Sequence, residues 1–181
     1  MSPELLKQTK RILVVGCSGS GKSTLTRHLE NIFDLPAIHM DIHFWNSGWV
    51  ETPANVWREK VEGLVDQPRW IMDGTFANSF DLRMPRAEAI VILDFPPLLC
   101  LWRAFFRVLK YKKSDHRPDM AEGCHERMDW EFYKYILTYR RIVYPKILSA
   151  LNEYRCEEKA IFLKGQRQVD QFLKQLENIY G

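Results

Sequence analysis

Short aliphatic runs alternate along the chain with stretches in which apolar residues recur every three or four positions. Ile12–Val15 forms the first run and leads into a glycine-rich turn. Beyond the turn, Leu25, Leu29, Ile32 and Phe33 stand at i, i+4, i+7 and i+8, which predicts an amphipathic helix. A second strand is expected at Pro36–Met40, followed by a helix with Trp57, Val61, Leu64 and Val65 on one face. The third strand is Trp70–Met72, ending at Asp73-Gly74, and the fourth is Ala89–Leu93, ending at Asp94. From Leu98 to about Leu151 the pattern is mostly helical, broken by a polar segment near Lys112–Glu126 that reads as a mobile loop or lid. A last strand, Lys159–Leu163, leads into a helix with Val169, Phe172, Leu173, Leu176 and Ile179 at helical spacing. Strands alternating with helices predict one α/β domain over residues 1–181: a parallel sheet covered by crossover helices.

Composition narrows this picture without changing it. Of 181 residues, 46% are hydrophobic and 13% aromatic, which excludes a disordered chain. Lys plus Arg number 26 against 23 Asp plus Glu, and a net charge of +3 is too small to imply nucleic acid or lipid as an obligatory partner. Cys17, Cys100, Cys124 and Cys156 lie far apart and suggest neither a disulfide framework nor a zinc knuckle. No apolar run is long or uninterrupted enough for a signal-peptide core or a membrane span, so a cytoplasmic protein is expected. A metal or redox module built on His116, Cys124 and His125 matches no familiar ligand spacing.

The chemistry concentrates after the first strand. Gly16-Cys17-Ser18-Gly19-Ser20-Gly21-Lys22-Ser23 satisfies G-x-x-x-x-G-K-[ST] between an aliphatic strand and an amphipathic helix, the context a phosphate-binding loop requires. Its glycines let successive N–H groups converge on phosphate oxygens, and the helix N-terminus adds partial positive charge. Lys22 is expected to bridge the β- and γ-phosphates, Ser23 to ligate Mg²⁺, and Thr24 to support the α-phosphate. Two strands end in aspartate. Asp73, beside Gly74, is favoured over Asp94 as the carboxylate that holds a metal-bound water; Asp94 equally suits a turn before Pro96. No N-K-x-D guanine-reading motif occurs.

These features resemble the adenylate-kinase-like P-loop kinases: the loop Gly16–Ser23, Asp73-Gly74, Leu93–Pro96 followed by Arg103, and the late pair Arg140 and Tyr144. More narrowly, His39–Trp45, Gly48-Trp49-Val50, Trp70–Gly74, Asp81–Arg86, Leu101-Trp102-Arg103 and Arg117–Cys124 are similar to bacterial DNA topology modulation proteins of the FlaR type, over nearly the whole chain. The resemblance implies a three-layer P-loop fold with strand order 2-3-1-4-5, helices on both faces and a helical lid over about residues 107–128. It also implies ATP and Mg²⁺ as cofactors, with Arg103 stacking on the adenine or approaching the phosphates. Arg107, Arg117 and Arg140 would close over the transferring group.

Phosphoryl transfer spreads negative charge over the moving group, so positioned arginines are what its chemistry asks for. Arg103, Arg107 and Lys110 share one helix face that leads into the polar segment with Lys112, Lys113, His116 and Arg117. An acceptor pocket is expected at the carboxyl ends of strands two and three, with His39, Asp41, His43, Trp45, Trp49, Asn78, Arg83 and Arg86 as candidates. Asp41 would accept the hydroxyl proton or orient the acceptor. Adenylate kinases carry a proline and an arginine soon after the Asp-Gly, whereas this chain has Thr75-Phe76-Ala77-Asn78, leaving Arg83 or Arg86 to take that role. The expected activity is transfer of the γ-phosphate of MgATP to a small-molecule hydroxyl or phosphate acceptor. A nucleic-acid-associated ATPase is the alternative.

Overall fold

The computed structural model describes residues 6, 8–111, 119–124 and 128–180. Its centre is β1 (Arg11–Gly16), every residue of which after Arg11 is buried. Strand β2 (Ala37–His39) is followed directly by a short helix α2 (Met40–Phe44) and a small hairpin of β3 (Trp45–Asn46) and β4 (Val50–Glu51). The sheet continues through β5 (Trp70–Asp73), β6 (Ala89–Leu93) and β7 (Ala160–Leu163). All pairings among β2, β5, β1, β6 and β7 are parallel, in that order across the sheet. Counting only these five strands, the order is the expected 2-3-1-4-5.

Strands β1, β5 and β6 read as unbroken apolar runs because both their faces are covered. Helix α1 (Lys22–Phe33) packs with α8 (Gln166–Tyr180) as one group. The other group runs through α3 (Ala54–Val65), α4 (Phe80–Arg86), α7 (Tyr144–Glu153), α6 (Trp130–Ile142) and α5 (Pro97–Tyr111), each touching the next. Of the periodic positions that predicted α1 and α3, Leu25, Leu29, Trp57, Val61 and Val65 are buried, and Ile32, Phe33 and Leu64 are partly buried against the core.

Two expectations change here. The second strand stops at His39 because Met40 turns into α2, and the hairpin between α2 and α3 was not foreseen. Of the expected lid, α5 continues to Tyr111 and residues 119–124 form turns. Lys112, Lys113, His116, Arg117 and His125 lie outside the described residues. Among the described residues, no helix is long and apolar enough to cross a membrane, and no group of three His, Cys, Asp or Glu could hold a metal. Cys124 is accounted for by packing, since it is buried and its thiol donates to the Asn46 carbonyl at 3.2 Å.

Candidate active site

Parallel pairing brings the carboxyl ends of all five sheet strands to one edge, where Gly16, His39, Asp73 and Leu93 stand side by side. The loop after β1 curls there with Gly16, Gly19 and Gly21 all at positive φ. Gly19 is required sterically as well, because a Cβ on it would lie 2.3 Å from the backbone oxygen of Cys100 in α5. Helix α1 begins immediately afterwards with Gly21 as its N-cap, no side-chain cap and no acidic residue in the first turn. Its orphan N–H groups and dipole are thus left for an anion. The Lys22 ammonium donates to the Cys17 carbonyl at 3.1 Å, folded across the loop it would leave to meet phosphate. Ser20 Oγ is buried with no hydrogen-bond partner among the described residues, a second sign that this loop is built for a polar guest. Cys17 turns its side chain into the core, so only its backbone faces a ligand.

The loop opens into a large cleft of about 1350 Å³. Its lining includes Ser18–Thr24, Arg103, Arg107 and Lys110. The Arg103 guanidinium lies 5.2 Å from the Phe95 ring centroid and donates to Gln166 Oε1 at 3.0 Å, which aims it across the loop. Asp41, Trp45 and Trp49 line the same cleft, so helix α2 and the hairpin contribute three of the expected acceptor residues to it.

Other candidates are placed elsewhere. Arg83 is 0% exposed. Its guanidinium donates to the carbonyls of Gly74, Thr75 and Phe76 and to Ser79 Oγ, so it fastens the loop after β5 from behind. Arg86 pairs with Asp66 at the end of α3, and neither it nor His43 or Asn78 lines the cleft. Burial pushes the His43 imidazole below its ordinary value, helped by Lys60 and His39. Arg140 also stands outside the cleft lining, 3.5 Å from Asp94, which it holds at the end of β6.

Asp73 is almost fully buried beneath the cleft, bonded to His39 Nδ1 at 2.8 Å. Burial works against a charged His39, but the hydrogen bond and charge of Asp73, with Asp119 and Glu30 beyond, raise its proton affinity above the ordinary value.

Several residues of the site escaped the sequence. The Thr75 hydroxyl donates to the Gly16 carbonyl at 2.8 Å and receives the Gly16 N–H at 3.2 Å, joining the base of the phosphate loop to β5. Tyr139 of α6 reaches the same hydroxyl at 3.5 Å. Phe44, Glu51, Phe76, Asp119 and Met120 also line the cleft. Residues 119–124 reach it because they hang on the hairpin, through the Gly48 N–H to the Gly123 carbonyl at 3.1 Å and Cys124 to Asn46. The only sequence signal was indirect, in the aromatic density around Phe44–Trp49.

No protein-family model matches this chain, and no curated protein matches it. Among solved structures it is similar to shikimate kinase from Acinetobacter baumannii in complex with shikimate, with a TM-score of 0.57, 17% identity, and 98% of this chain and 97% of that one covered. It is also similar to shikimate kinase from Bacteroides thetaiotaomicron, with a TM-score of 0.51, 16% identity, and 94% and 98% covered. Fold and loop together define a P-loop α/β protein. Both of these solved structures are shikimate kinases, which belong to the adenylate-kinase-like P-loop kinases.

Proposed function

We propose that this protein is an ATP-dependent small-molecule kinase. The observation that carries the reading is one cleft whose lining includes Asp41 together with a phosphate loop, its lysine and an uncapped helix N-terminus. In this reading the loop amides and Lys22 hold the phosphates of ATP, and Thr24 supports them from the first turn of α1. The acceptor hydroxyl gives its proton to Asp41 as its oxygen forms a bond to the γ-phosphorus. The bond from that phosphorus to the β–γ bridging oxygen breaks, and ADP leaves. Arg103 and Arg107, on the cleft wall, offset the charge that develops on the transferring group; Arg117 is assigned the same work by resemblance. Arg140 acts at one remove, by fixing Asp94.

Ser23 and Asp73 offer hard oxygen donors of the kind Mg²⁺ takes, one directly and one through water. Bound Mg²⁺ would neutralise phosphate charge. ATP rather than GTP is supported by the missing guanine motif and by the resemblance. The described cysteines are all free thiols, which suits a cytoplasmic setting. The resemblance to FlaR-type topology modulation proteins is compatible with this reading, but the small net charge of +3 weighs against nucleic acid as the partner.

The test is ADP release from MgATP across a panel of nucleosides, sugars, amino alcohols and hydroxy acids, shikimate among them because one structural neighbour binds it. Stimulation by one acceptor class is expected, and Lys22→Ala should lower the stimulated rate by at least about a hundredfold while circular dichroism stays unchanged. A slow rate indifferent to every acceptor would sink the kinase reading.

A further inference from the structure

Gly16 is the last residue of β1 and the first of the phosphate loop, so its backbone must leave the sheet and still be held. Where β1 pairs with β5, every second residue of β1 turns its N–H and carbonyl toward β5. The bonds from Trp70 N–H to the Lys10 carbonyl at 2.8 Å and from Gly74 N–H to the Val14 carbonyl at 3.1 Å belong to that series, which reaches Gly16 next. There β5 has ended. The Gly74 carbonyl, which the series would offer to the Gly16 N–H, receives the Arg83 guanidinium at 2.6 Å instead.

One side chain stands in for the missing strand. The Thr75 hydroxyl donates to the Gly16 carbonyl at 2.8 Å and accepts the Gly16 N–H at 3.2 Å. A hydroxyl has one proton and two lone pairs, and this proton is committed to the Gly16 carbonyl. The Tyr139 hydroxyl, 3.5 Å away, is therefore the donor to the second lone pair. Burial pushes the Tyr139 phenol well above its ordinary value, so its proton stays in place. Thr75 is 6% exposed and Tyr139 4%, and solvent offers these groups few alternatives.

The other side of the brace is anchored as well. Arg83 of α4 gathers the carbonyls of Gly74, Thr75 and Phe76, so the Thr75 backbone is held from behind while its hydroxyl holds Gly16. Loop amides converge on a phosphate only if the peptide from which the loop starts does not turn. We infer that Thr75 is a positioning residue of the phosphate loop: its hydroxyl fixes the Gly16 peptide, and through it the direction in which the loop amides face the phosphates of ATP. The inference rests on the kinase reading and adds to it a residue that acts through the loop.

Two replacements separate the hydroxyl from the bulk that carries it. Thr75→Val keeps the shape and removes the hydroxyl, whereas Thr75→Ser keeps the hydroxyl and removes the methyl. Calorimetric titration with MgATP should show a dissociation constant raised at least about tenfold for Thr75→Val and within about threefold of the natural chain for Thr75→Ser. A role in packing alone predicts the reverse order, since a lost methyl leaves a void and an isosteric valine does not. Serine binding as poorly as valine, or valine binding as well as threonine, would overturn the inference. Should circular dichroism show that Thr75→Val does not fold, Thr75→Ala takes its place in the same comparison, because it leaves room for water beside the Gly16 peptide. The natural chain separates the two levels of failure. If it binds MgATP and Thr75→Val binds equally, only the role of Thr75 fails; if it does not bind MgATP, the kinase reading falls and takes the inference with it.

Discussion

Arg83 and His39 carry charge into the interior beneath the cleft. Arg83 fans its guanidinium over the carbonyls of Gly74, Thr75 and Phe76, three acceptors that point inward because the chain turns sharply after β5. Phe76 is held there at a φ of 27°, a left-handed conformation that a side chain adopts only when its surroundings enforce it. Arg83→Met should therefore cost about 3 kcal/mol or more, from roughly 1–3 kcal/mol for each buried carbonyl left unpaired. Urea unfolding measures this, and a midpoint equal to that of the natural chain would show that the loop stands without its clasp.

His39 yields a pH dependence. Its folded proton affinity lies above the unfolded value of about 6.5, so the fold binds the proton more tightly than the unfolded chain does. The resulting stability is fully present below that unfolded value and is lost as pH rises through the folded one. The melting temperature of His39→Gln should fall furthest below that of the natural chain near about pH 5.5, and the gap should narrow by about pH 8.5. A gap that widens with pH would contradict the pairing with Asp73.

Secondary-structure elements differ in how openly the sequence announces them. The strand, loop and helix from Arg11 to Phe33 were legible because three independent signals agree there: an aliphatic run, a glycine-rich motif and a helical stripe. The hairpin was illegible because strands of two residues have no period to detect, and its turn uses Trp49 at a φ of 65°, which no turn propensity singles out. The phosphate loop gives the sharpest prediction at this scale. Gly19→Ala would force the loop away from α5, since the obstacle is Cys100 backbone rather than a side chain that could swing aside. The variant should lose the thermal shift that MgATP gives the natural chain. A full shift would mean that the loop can form without touching α5.

At the scale of the whole molecule, function depends on which residues are brought to one sheet edge. From Gly16 to Leu173 the cleft lining collects residues more than a hundred positions apart in sequence. Sequence could name the candidates Asp41, Arg103 and Arg107, but Arg83, Arg86 and Arg140 satisfied the same criteria on paper. Each has its charge engaged elsewhere, in the core, on Asp66 or on Asp94. An arginine's distance along the chain from a motif does not say whether carbonyls, a carboxylate or open space will meet its guanidinium.

Sequence by itself determined the parallel sheet and the phosphate loop. Strand hydrophobicity, helical period and the glycine spacing of the loop are local properties, set by backbone geometry within a few residues. The tertiary structure alone decided the hairpin, the Thr75 tie between the loop and β5, and the engagement of Arg83, Arg86 and Arg140. Those depend on desolvation and hydrogen bonding between segments far apart in the chain, and such contacts exist only once the sheet has brought the segments together.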